Sequence, residues 1–365
     1  MFPTNEEFKK AVKEYISQEC STFSGCAIGQ TYGYPIGKWC TTGITDMSHL
    51  FAAGTEFIPD WLVNGVTFNE DISEWDVSSV LDMKYMFFYA SSFNQPLNNW
   101  NVSSVSNFLC MFCGASSFNR PLNDWDVSSA TVLGAMFAEA ASFDQPLNTW
   151  EVGMVYNLAG MFDGASSFNQ PLNGWNVGSA IHMSSMFYEA SSFNQPLNDW
   201  DVSSVVITYR MFFGASSFNQ PLSNWDVSSI HYFRSMFHEA SSFNQPLNNW
   251  DVSSATHLGQ TFSGASSFNQ PLNDWDVSSA TNFYGMFGNA SSFDQPLQDW
   301  DVSAAADMTN MFKGASSFNQ NICLWAATST TFPYGQRSSD MFTGTSCTNK
   351  TDPTSEAQGP LCADC

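Results

Sequence analysis

Residues 100–125 read WNVSSVSNFLCMFCGASSFNRPLNDW, and close copies of this stretch follow one another along most of the chain of 365 residues. Tryptophan recurs every 25 residues over ten periods without insertion or deletion, at positions 75, 100, 125, 150, 175, 200, 225, 250, 275, 300 and 325. Self-similarity at a fixed period of this length is the signature of one structural unit stacked on itself. The fold must therefore be derived from the repeat.

Two phenylalanine columns indicate which side chains face inward. The twelfth and the eighteenth residues after each tryptophan are phenylalanine in all ten repeats from Trp75 onward. Burying such a side chain is worth roughly 1.5–3 kcal/mol, so two exposed columns would be costly in water. We therefore expect both columns to lie in the core.

The apolar spacing changes within each repeat. In residues 105–115 the apolar side chains are 3, 3, 1 and 3 residues apart, which is typical of one face of a short helix. Residues 97–102 have the pattern L-x-x-W-x-V, which favours a short strand with an alternating inner face. Each repeat is thus predicted to contain a strand, a Ser-rich turn, about two helical turns and a return segment.

One strand and one helix cannot bury a face alone, so the repeats must stack. The predicted fold is an α/β repeat solenoid, a leucine-rich-repeat-like stack of about 12 coils with a parallel sheet on one side and short helices on the other. A column of asparagines from Asn94 to Asn269 is predicted to form a hydrogen-bonded ladder between coils. Asp144 and Asp294 interrupt the column; they keep the acceptor oxygens and lose the amide donors.

The motifs of the repeat resemble a known family. The pattern L-x-x-W-x-V is similar to the L-x-x-L-x-L strand of leucine-rich repeats. The whole unit, W-D-V-S-S-V-x-x-M-x-x-M-F-x-G-A-S-S-F-N-Q-P-L, resembles the 25-residue repeat of BspA-like surface proteins, which is also found in mycoplasma surface lipoproteins and in protists. The resemblance covers about residues 35 to 345. It implies a leucine-rich-repeat-type solenoid, a cell-surface or secreted setting, a role in adhesion or partner binding, and no catalytic residues.

Both ends of the array differ from the repeats. Residues 1–34 are predicted to form an N-terminal cap that contains cysteines and an amphipathic helix with Asn5 as its N-cap. Residues 35–342 form the solenoid, which has an 11-residue insertion near residues 52–62, and residues 343–365 form a cysteine-containing C-terminal cap. We expect one continuous elongated domain. No apolar stretch is long enough to span a membrane, and no signal peptide is visible in the sequence.

The fourteenth residue after each tryptophan alternates in size. Glu139, Glu189 and Glu239 alternate with glycines, which suggests a duplication unit of 50 residues. Because glutamate resists a positive φ, we expect this position not to require one.

The chain is strongly acidic, with 34 acidic and 11 basic residues and a net charge of −23. Nucleic acid and anionic membranes bind through clusters of positive charge, so neither is an expected partner. We expect instead a protein or glycan ligand on a cell surface or in the matrix, or self-association into a filament.

Carboxylates flank several of the tryptophans and are predicted to point outward from the sheet. The residues in complete Asp-Trp-Asp sets are Asp124, Asp126, Asp199, Asp201, Asp274, Asp276, Asp299 and Asp301. They form a candidate binding surface; the alternative is that they only keep the sheet soluble. The candidate ligands for Ca²⁺, which favours several oxygen atoms, lie on adjacent coils and are Asp274, Asp276, Asp299 and Asp301. No glycine-rich calcium loop accompanies them, so no cofactor is assigned.

Large aromatic residues vary along the predicted helical side of the repeats. They are Tyr85, Phe88, Tyr89, Tyr188, Tyr209, Phe213 and Tyr232. Exposed aromatic residues in a row are typical of a protein contact or of a surface that stacks on carbohydrate, and the alternative is that they are scattered surface residues.

Nine cysteines indicate an oxidising environment. The candidate disulfide cysteines are Cys20, Cys26, Cys40, Cys110, Cys113, Cys347, Cys362 and Cys365. Cys110 and Cys113 form a C-x-x-C pair, which without a thioredoxin-like context is predicted to be a disulfide or two free thiols and not a redox centre. The candidate N-glycosylation sites are Asn101, Asn289 and Asn349. Together these features favour a secreted or cell-surface glycoprotein.

The sequence contains no motif for a nucleophile elbow, a phosphate loop or a paired-histidine metal site, and no enzyme is predicted. The leading hypothesis is a non-enzymatic extracellular or cell-surface solenoid for adhesion or protein–protein interaction. One alternative is a structural subunit that assembles into an extracellular filament. Another is a module that binds glycan or calcium.

Overall fold

The computed structural model describes residues 2–21, 25–53, 65–325, 335–353 and 361–362. The chain divides into two compact units, Met1–Ala180 and Ile181–Cys365. The helices among the described residues are α1 (Asn5–Ser17), α2 (Ala27–Tyr32) and the short 3₁₀ helices Ile36–Lys38, Gly65–Thr67 and Gly335–Ser338. Most of the predicted insertion near residues 52–62 lies outside the described residues.

Helix α1 packs on the first repeats of the first unit. Its N-cap is Thr4, whose hydroxyl accepts a hydrogen bond from the N–H of Glu7 at 3.1 Å, and not Asn5 as expected. The side chain of Asn5 instead bonds both the N–H and the hydroxyl of Thr45, each at 3.0 Å. Phe8 is fully buried, with its ring centre 5.4 Å from that of Trp75 and the two planes 67° apart. The amphipathic helix is therefore confirmed, with a cap one residue earlier.

The repeats themselves contain neither of the predicted elements. Across the described residues no β-strand forms, and both α-helices precede the repeats. Among the described residues, β-type pairing between neighbouring repeats is limited to isolated parallel bridges, such as the one between Asn107 and Val132. The predicted leucine-rich-repeat-like α/β solenoid, with a parallel sheet and a row of helices, is therefore wrong. The repeats are stacked chains of turns.

Hydrogen bonding within residues 83–90 explains the absence of a helix. Alternate N–H groups donate to carbonyls of the next repeat at 2.7–3.0 Å, in the pairs Met83 with Asn107, Tyr85 with Leu109, Phe87 with Met111, and Tyr89 with Cys113. Of the N–H groups between them, those of Met86 and Phe88 donate to the carbonyl three residues back, and that of Lys84 donates to Oδ1 of Asp82. Tyr85 and Tyr89 are left-handed, with φ of 56° and 52°, which no α-helix accommodates. The spacing of three residues between apolar side chains therefore arises from consecutive turns and not from a helix.

The predicted strand is likewise two turns. The N–H of Trp100 donates to the carbonyl of Leu97 at 3.0 Å, and that of Val105 donates to the carbonyl of Val102 at 2.9 Å. These short-range bonds use the amide groups that a sheet would need for its ladder. The indole N–H reaches the preceding repeat instead, as in the 2.8 Å bond from Trp125 to the carbonyl of Leu97.

The aromatic core agrees with the sequence prediction. Both phenylalanine columns are fully buried, and the tryptophans between Trp75 and Trp325 are at most 4% exposed. Within a repeat, the rings of Phe87 and Phe93 stack at 4.0 Å. Between repeats, Phe87 and Phe112 stack at 5.4 Å with ring planes 3° apart. The period of 25 therefore brings identical rings into contact.

The asparagine ladder is confirmed and uses only its acceptor oxygens. Oδ1 of Asn119 accepts from the N–H of Asp144 at 3.0 Å and from Nε2 of Gln145 at 2.8 Å. Oδ1 of Asp144 accepts in turn from the N–H of Asn169 at 2.9 Å and from Nε2 of Gln170 at 3.0 Å. Aspartate can replace asparagine here because the amide donor plays no part.

The prediction about the fourteenth position is wrong. Glu139, Glu189 and Glu239 have φ of 55°, 50° and 57°, in the left-handed region. Each alternating glycine lies beneath the larger side chain of the preceding repeat. A Cβ atom on Gly114 would lie 2.6 Å from the ring of Tyr89, and one on Gly214 would lie 3.0 Å from Cγ of Glu189. The 50-residue alternation thus reflects limited space between neighbouring repeats.

We expect Asn119→Ala to lower the free energy of unfolding by about 1 kcal/mol, because it leaves two donors of the next repeat without their acceptor. Asn119→Asp keeps the acceptor oxygen and should change stability by less than about 0.5 kcal/mol. Urea unfolding followed by tryptophan fluorescence measures both. Equal losses in the two variants would contradict the acceptor-only ladder.

Gly114→Ala and Gly164→Ala form a matched pair with φ of 72° and 65°. An added Cβ meets the Tyr89 ring at 2.6 Å in the first case, but meets Glu139 only at 3.5 Å in the second. Both should lose about 1 kcal/mol from backbone strain, and Gly114→Ala should lose about 1–2 kcal/mol more. In a Tyr89→Ala background the extra loss should disappear in thermal unfolding; if it persists, the steric explanation fails.

Candidate binding surfaces

Where aspartate follows a tryptophan of the repeats, it caps a turn. Oδ1 of Asp201 accepts from the N–H of Ser203 at 3.1 Å and from its hydroxyl at 2.6 Å. The carboxylates of Asp126, Asp276 and Asp301 accept from the N–H two residues later in the same way. The serine hydroxyl, and then its N–H, lowers the pKa of Asp76, Asp126, Asp201, Asp251 and Asp301.

The aspartates that precede tryptophan have two kinds of surroundings. The N–H of Asp124 donates to Oδ1 of Asn98 at 3.1 Å, and Nδ2 of Asn98 donates back to the carboxylate. Asn248 and Asp274 repeat this exchange in the second unit. Asp199 and Asp299 each line an open depression of the surface. The first has a volume of about 370 Å³ and is also lined by Asp201; the second has a volume of about 430 Å³ and is also lined by Asp301. Binding of a partner by these carboxylates stays a prediction.

The structure does not assemble a metal site from the candidate calcium ligands. In the described part of the chain, no group of three or more His, Cys, Asp or Glu side chains is arranged to hold a metal ion. Asp276 and Asp301 direct an oxygen to turn N–H groups, while Asp274 bonds Asn248. Asp274, Asp276, Asp299 and Asp301 are thus not brought together as a calcium site.

The cysteines form disulfides near both ends of the chain. Cys20 bonds to Cys26, and Cys347 bonds to Cys362. Cys323 is also in a disulfide, although it was not among the candidates, and Cys365 lies outside the described residues. Cys40, Cys110 and Cys113 carry free thiols, so the disulfide prediction is wrong for Cys40 and the free-thiol alternative holds for the C-x-x-C pair.

The two free thiols of the C-x-x-C pair are not equivalent. A hydrogen bond from the Cys113 thiol lowers the pKa of Cys110, and the same bond, with burial, raises the pKa of Cys113. The ring of Tyr89 lies against Gly114, the residue after Cys113. Its hydroxyl donates to Glu139 at 2.9 Å, and burial raises the pKa of Tyr89 to about 12. Cys110 is thus half-buried and Cys113 is buried, with the carboxylate of Glu139 nearby.

The three sequons have different exposures. Asn101 and Asn289 are exposed, whereas Asn349 is partly buried. Oδ1 of Asn349 accepts from the N–H and hydroxyl of Thr351, at 3.0 and 2.6 Å. Glycosylation at these sites stays a prediction.

Variation between repeats is concentrated on one face, which the motif analysis did not single out. The residues six, seven, nine, ten and thirteen places after tryptophan differ from repeat to repeat, while the core and turn-capping columns stay nearly constant. We call these five columns the variable face of each unit. Most of their side chains are exposed or half-buried. A column-by-column comparison of the repeats would have found this signal.

The variable face contains most of the exposed large apolar side chains. Ten such residues occur in the described structure, and the six on the variable face are Leu81, Tyr156, Ile181, Val206, Tyr232 and Tyr284. The predicted aromatic residues Tyr85, Phe88, Tyr188, Tyr209, Phe213 and Tyr232 belong to its columns, whereas Tyr89 stands one column beyond. The sequence prediction of exposed aromatic residues is confirmed for Tyr232, which is 48% exposed.

Comparison with known proteins identifies one family. A family model described as "Mycoplasma protein of unknown function, DUF285" matches residues 1–67, 21–150, 122–220, 175–262 and 248–354. The five matches together cover residues 1–354. No curated protein matches the chain significantly. Among the described residues, no helix has the length and apolar character needed to cross a membrane.

The turn-capping aspartates should make the protein sensitive to acid. Because their pKa is lowered in the folded state, they stabilise the fold fully above their unfolded pKa of about 3.9, and this contribution is lost as the pH falls through the lower folded values. We expect the melting temperature to drop steeply below about pH 4.

The test is a variant in which asparagine replaces Asp76, Asp126, Asp201, Asp251 and Asp301. Asparagine keeps the acceptor oxygen, since Oδ1 of Asn101 accepts from the N–H and the hydroxyl of Ser103 in its own repeat. Its melting temperature should fall less between pH 5 and pH 2.5, which calorimetry measures directly. Parallel curves for the variant and the wild type would show that other groups cause the acid sensitivity.

Proposed function

The chain belongs to the family described as Mycoplasma protein of unknown function, DUF285, and we propose that it is a non-enzymatic repeat protein of the cell surface or extracellular space. In this proposal the protein binds a partner through the variable face of its units. The resemblance of the repeat to BspA-like surface proteins and the disulfides support an extracellular role in adhesion.

The observation that carries the proposal is the placement of exposed apolar groups. Among the described residues, six of the ten exposed large apolar side chains lie on the variable face, where hydration alone would favour polar residues. Leu81 is 53% exposed, although the same column holds Ser106 and Thr131 in the next two repeats. Exposed apolar groups concentrated on one surface are typical of an interaction site.

The constant exposed columns have a different explanation. Their asparagine, aspartate and serine side chains bond the turn backbone of their own or the neighbouring repeat, as Asn119 and Asp201 do. The fold therefore constrains these positions wherever such a bond forms. In the variable column seven places after tryptophan, Asp82 and Asn107 also accept a turn N–H, but Val132 and Ile207 stand in the same column, so the stack does not require this bond.

A four-site variant tests the proposal, with Leu81→Ser, Tyr156→Thr, Ile181→Thr and Val206→Thr. Serine and threonine occur naturally in this column at Ser106, Thr131, Thr256 and Thr281, so the fold should be retained. Because exposed apolar area is removed, binding of the labelled protein to intact cells and to immobilised matrix proteins should fall by at least about tenfold.

The control replaces Asp126, Asp201, Asp251 and Asp301 by Asn on the constant columns, and it should bind like the wild type. Equal binding by the four-site variant and the wild type would overturn the proposal. Sedimentation should show a monomer at all concentrations; a mass that rises with concentration and is lost in the four-site variant would make a second copy the partner instead.

A further inference from the structure

We propose that Cys110 and Cys113, on the variable face of the first unit, form a dithiol that reduces low-molecular-weight disulfides by thiol–disulfide exchange. Cys110 is the attacking thiol, and Cys113 is the thiol that then closes an intramolecular disulfide. This activity goes beyond the proposed binding role and does not depend on it. It is stoichiometric, because each exchange converts the dithiol into a disulfide.

The fold does not account for the presence of this pair. The two cysteines stand ten and thirteen places after Trp100, and no other repeat from Trp75 onward has a cysteine in either column. The next repeat forms the same turn with Ala135 and Ala138, whose backbone hydrogen bond is 3.1 Å long. Cysteine is therefore not needed to build the turn. Its place in two variable columns points to a chemical role for the thiols.

The backbone holds the two thiols close together. The N–H of Cys113 donates to the carbonyl of Cys110 at 3.2 Å, which closes a turn of four residues. Such a turn keeps its first and last Cα atoms less than about 7 Å apart, and disulfides usually span about 4.4–6.8 Å between Cα atoms. Met111 and Phe112 are fully buried, so the two cysteines flank the inward residues of the turn. A disulfide can therefore form without a large movement of the backbone.

Exposure assigns the two roles. Cys110 is half-buried, so a small disulfide can reach its sulfur atom, whereas Cys113 is only 7% exposed. The ring of Tyr89 lies against Gly114, directly after Cys113, and the Tyr89 hydroxyl reaches across this repeat to Glu139. This arrangement limits access from the side of Cys113. The first attack is therefore assigned to Cys110.

The hydrogen bond between the two thiols supports the same assignment. It lowers the pKa of Cys110, because the thiolate accepts the bond, and this effect outweighs burial and the carboxylate of Glu139, which both raise that pKa. The thiolate is the form of cysteine that attacks a disulfide. The same bond, followed by burial, raises the pKa of Cys113, so Cys113 keeps its proton until Cys110 has reacted.

The reaction balances as two exchange steps. The Cys110 thiolate attacks one sulfur of a disulfide R–S–S–R, the S–S bond breaks, and the electron pair leaves on RS⁻, which takes up a proton from water. Cys113 then gives its proton to water and attacks the Cys110 sulfur, and the second RS⁻ leaves and is protonated in the same way. Two thiols are oxidised to one disulfide, and R–S–S–R is reduced to two RSH. Because the second step is intramolecular, it drives the first.

The probe is bis(2-hydroxyethyl) disulfide, which is small and uncharged, so the net charge of −23 does not repel it. The full chain with reduced thiols is treated with an excess of the probe and quenched with acid, and its peptides are mapped by mass spectrometry. The peptide with Cys110 and Cys113 should lose two hydrogen atoms and carry no part of the probe. Cys40, an exposed single thiol, should retain half of the probe and is the internal control.

Single variants separate the two roles. Cys113→Ser should retain half of the probe on Cys110, because no second thiol displaces it. Cys110→Ser should react at least about tenfold more slowly than Cys113→Ser, because its remaining thiol is buried. Serine occurs in the two columns at Ser185 and Ser263, so both variants should fold. If tryptophan fluorescence shows that either is unfolded, alanine, which the next repeat holds in both columns, replaces serine.

Three results would overturn the proposal. In the first, Cys110 and Cys113 stay reduced while Cys40 reacts. In the second, the wild type retains half of the probe on Cys110 and forms no internal disulfide. In the third, Cys110→Ser reacts as fast as Cys113→Ser. The four-site variant of the proposed binding role keeps both cysteines and should exchange like the wild type, so failure of one proposal leaves the other standing.

Discussion

The hydrogen bonds that alternate N–H groups form with the next repeat are the interaction on which the rest of each unit depends. In residues 83–90 these bonds occupy every second N–H, while local turns occupy the others, so no strand and no helix can form. Two left-handed residues, Tyr85 and Tyr89, make this alternation sterically possible. The same bonds continue across longer periods, where the N–H of Met47 donates to the carbonyl of Asp82 and that of Met308 donates to the carbonyl of Arg337, so the strict period of 25 is a property of the repeats from Trp75 to Trp325.

The same alternation separates structural side chains from variable ones. Phenylalanine and tryptophan rings fill the interior at one-repeat spacing, and polar side chains such as Asn119 and Asp201 satisfy turn N–H groups. The variable columns accept side chains of different kinds, since Asp82 and Asn107 cap a turn N–H whereas Val132 and Ile207 stand in the same column. Exposed apolar and aromatic groups collect there, and the cysteine pair of the first unit stands among them.

Sequence reasoning succeeded where one physical requirement had one solution. The buried phenylalanine columns and the acceptor ladder through Asp144 were predictable, because burial and hydrogen-bond chemistry leave little choice. It failed for secondary structure, because apolar residues three apart suit a helix and a chain of turns equally well. It also failed at Glu139, which adopts a positive φ. The backbone bond from Glu139 to Asp163 and the space left by Gly164 offset the steric cost of that conformation.

The sequence by itself determined the period, the inward residues, the acidic charge and the column in which asparagine and aspartate exchange. All four follow from the identity of residues at a fixed spacing, which requires no knowledge of backbone geometry. Only the tertiary structure decided that the repeat is built of turns, that aspartates cap them, and that two free thiols meet in one turn of the variable face. These features depend on which groups of the neighbouring repeat lie within reach, and contact between repeats is a property of the folded chain.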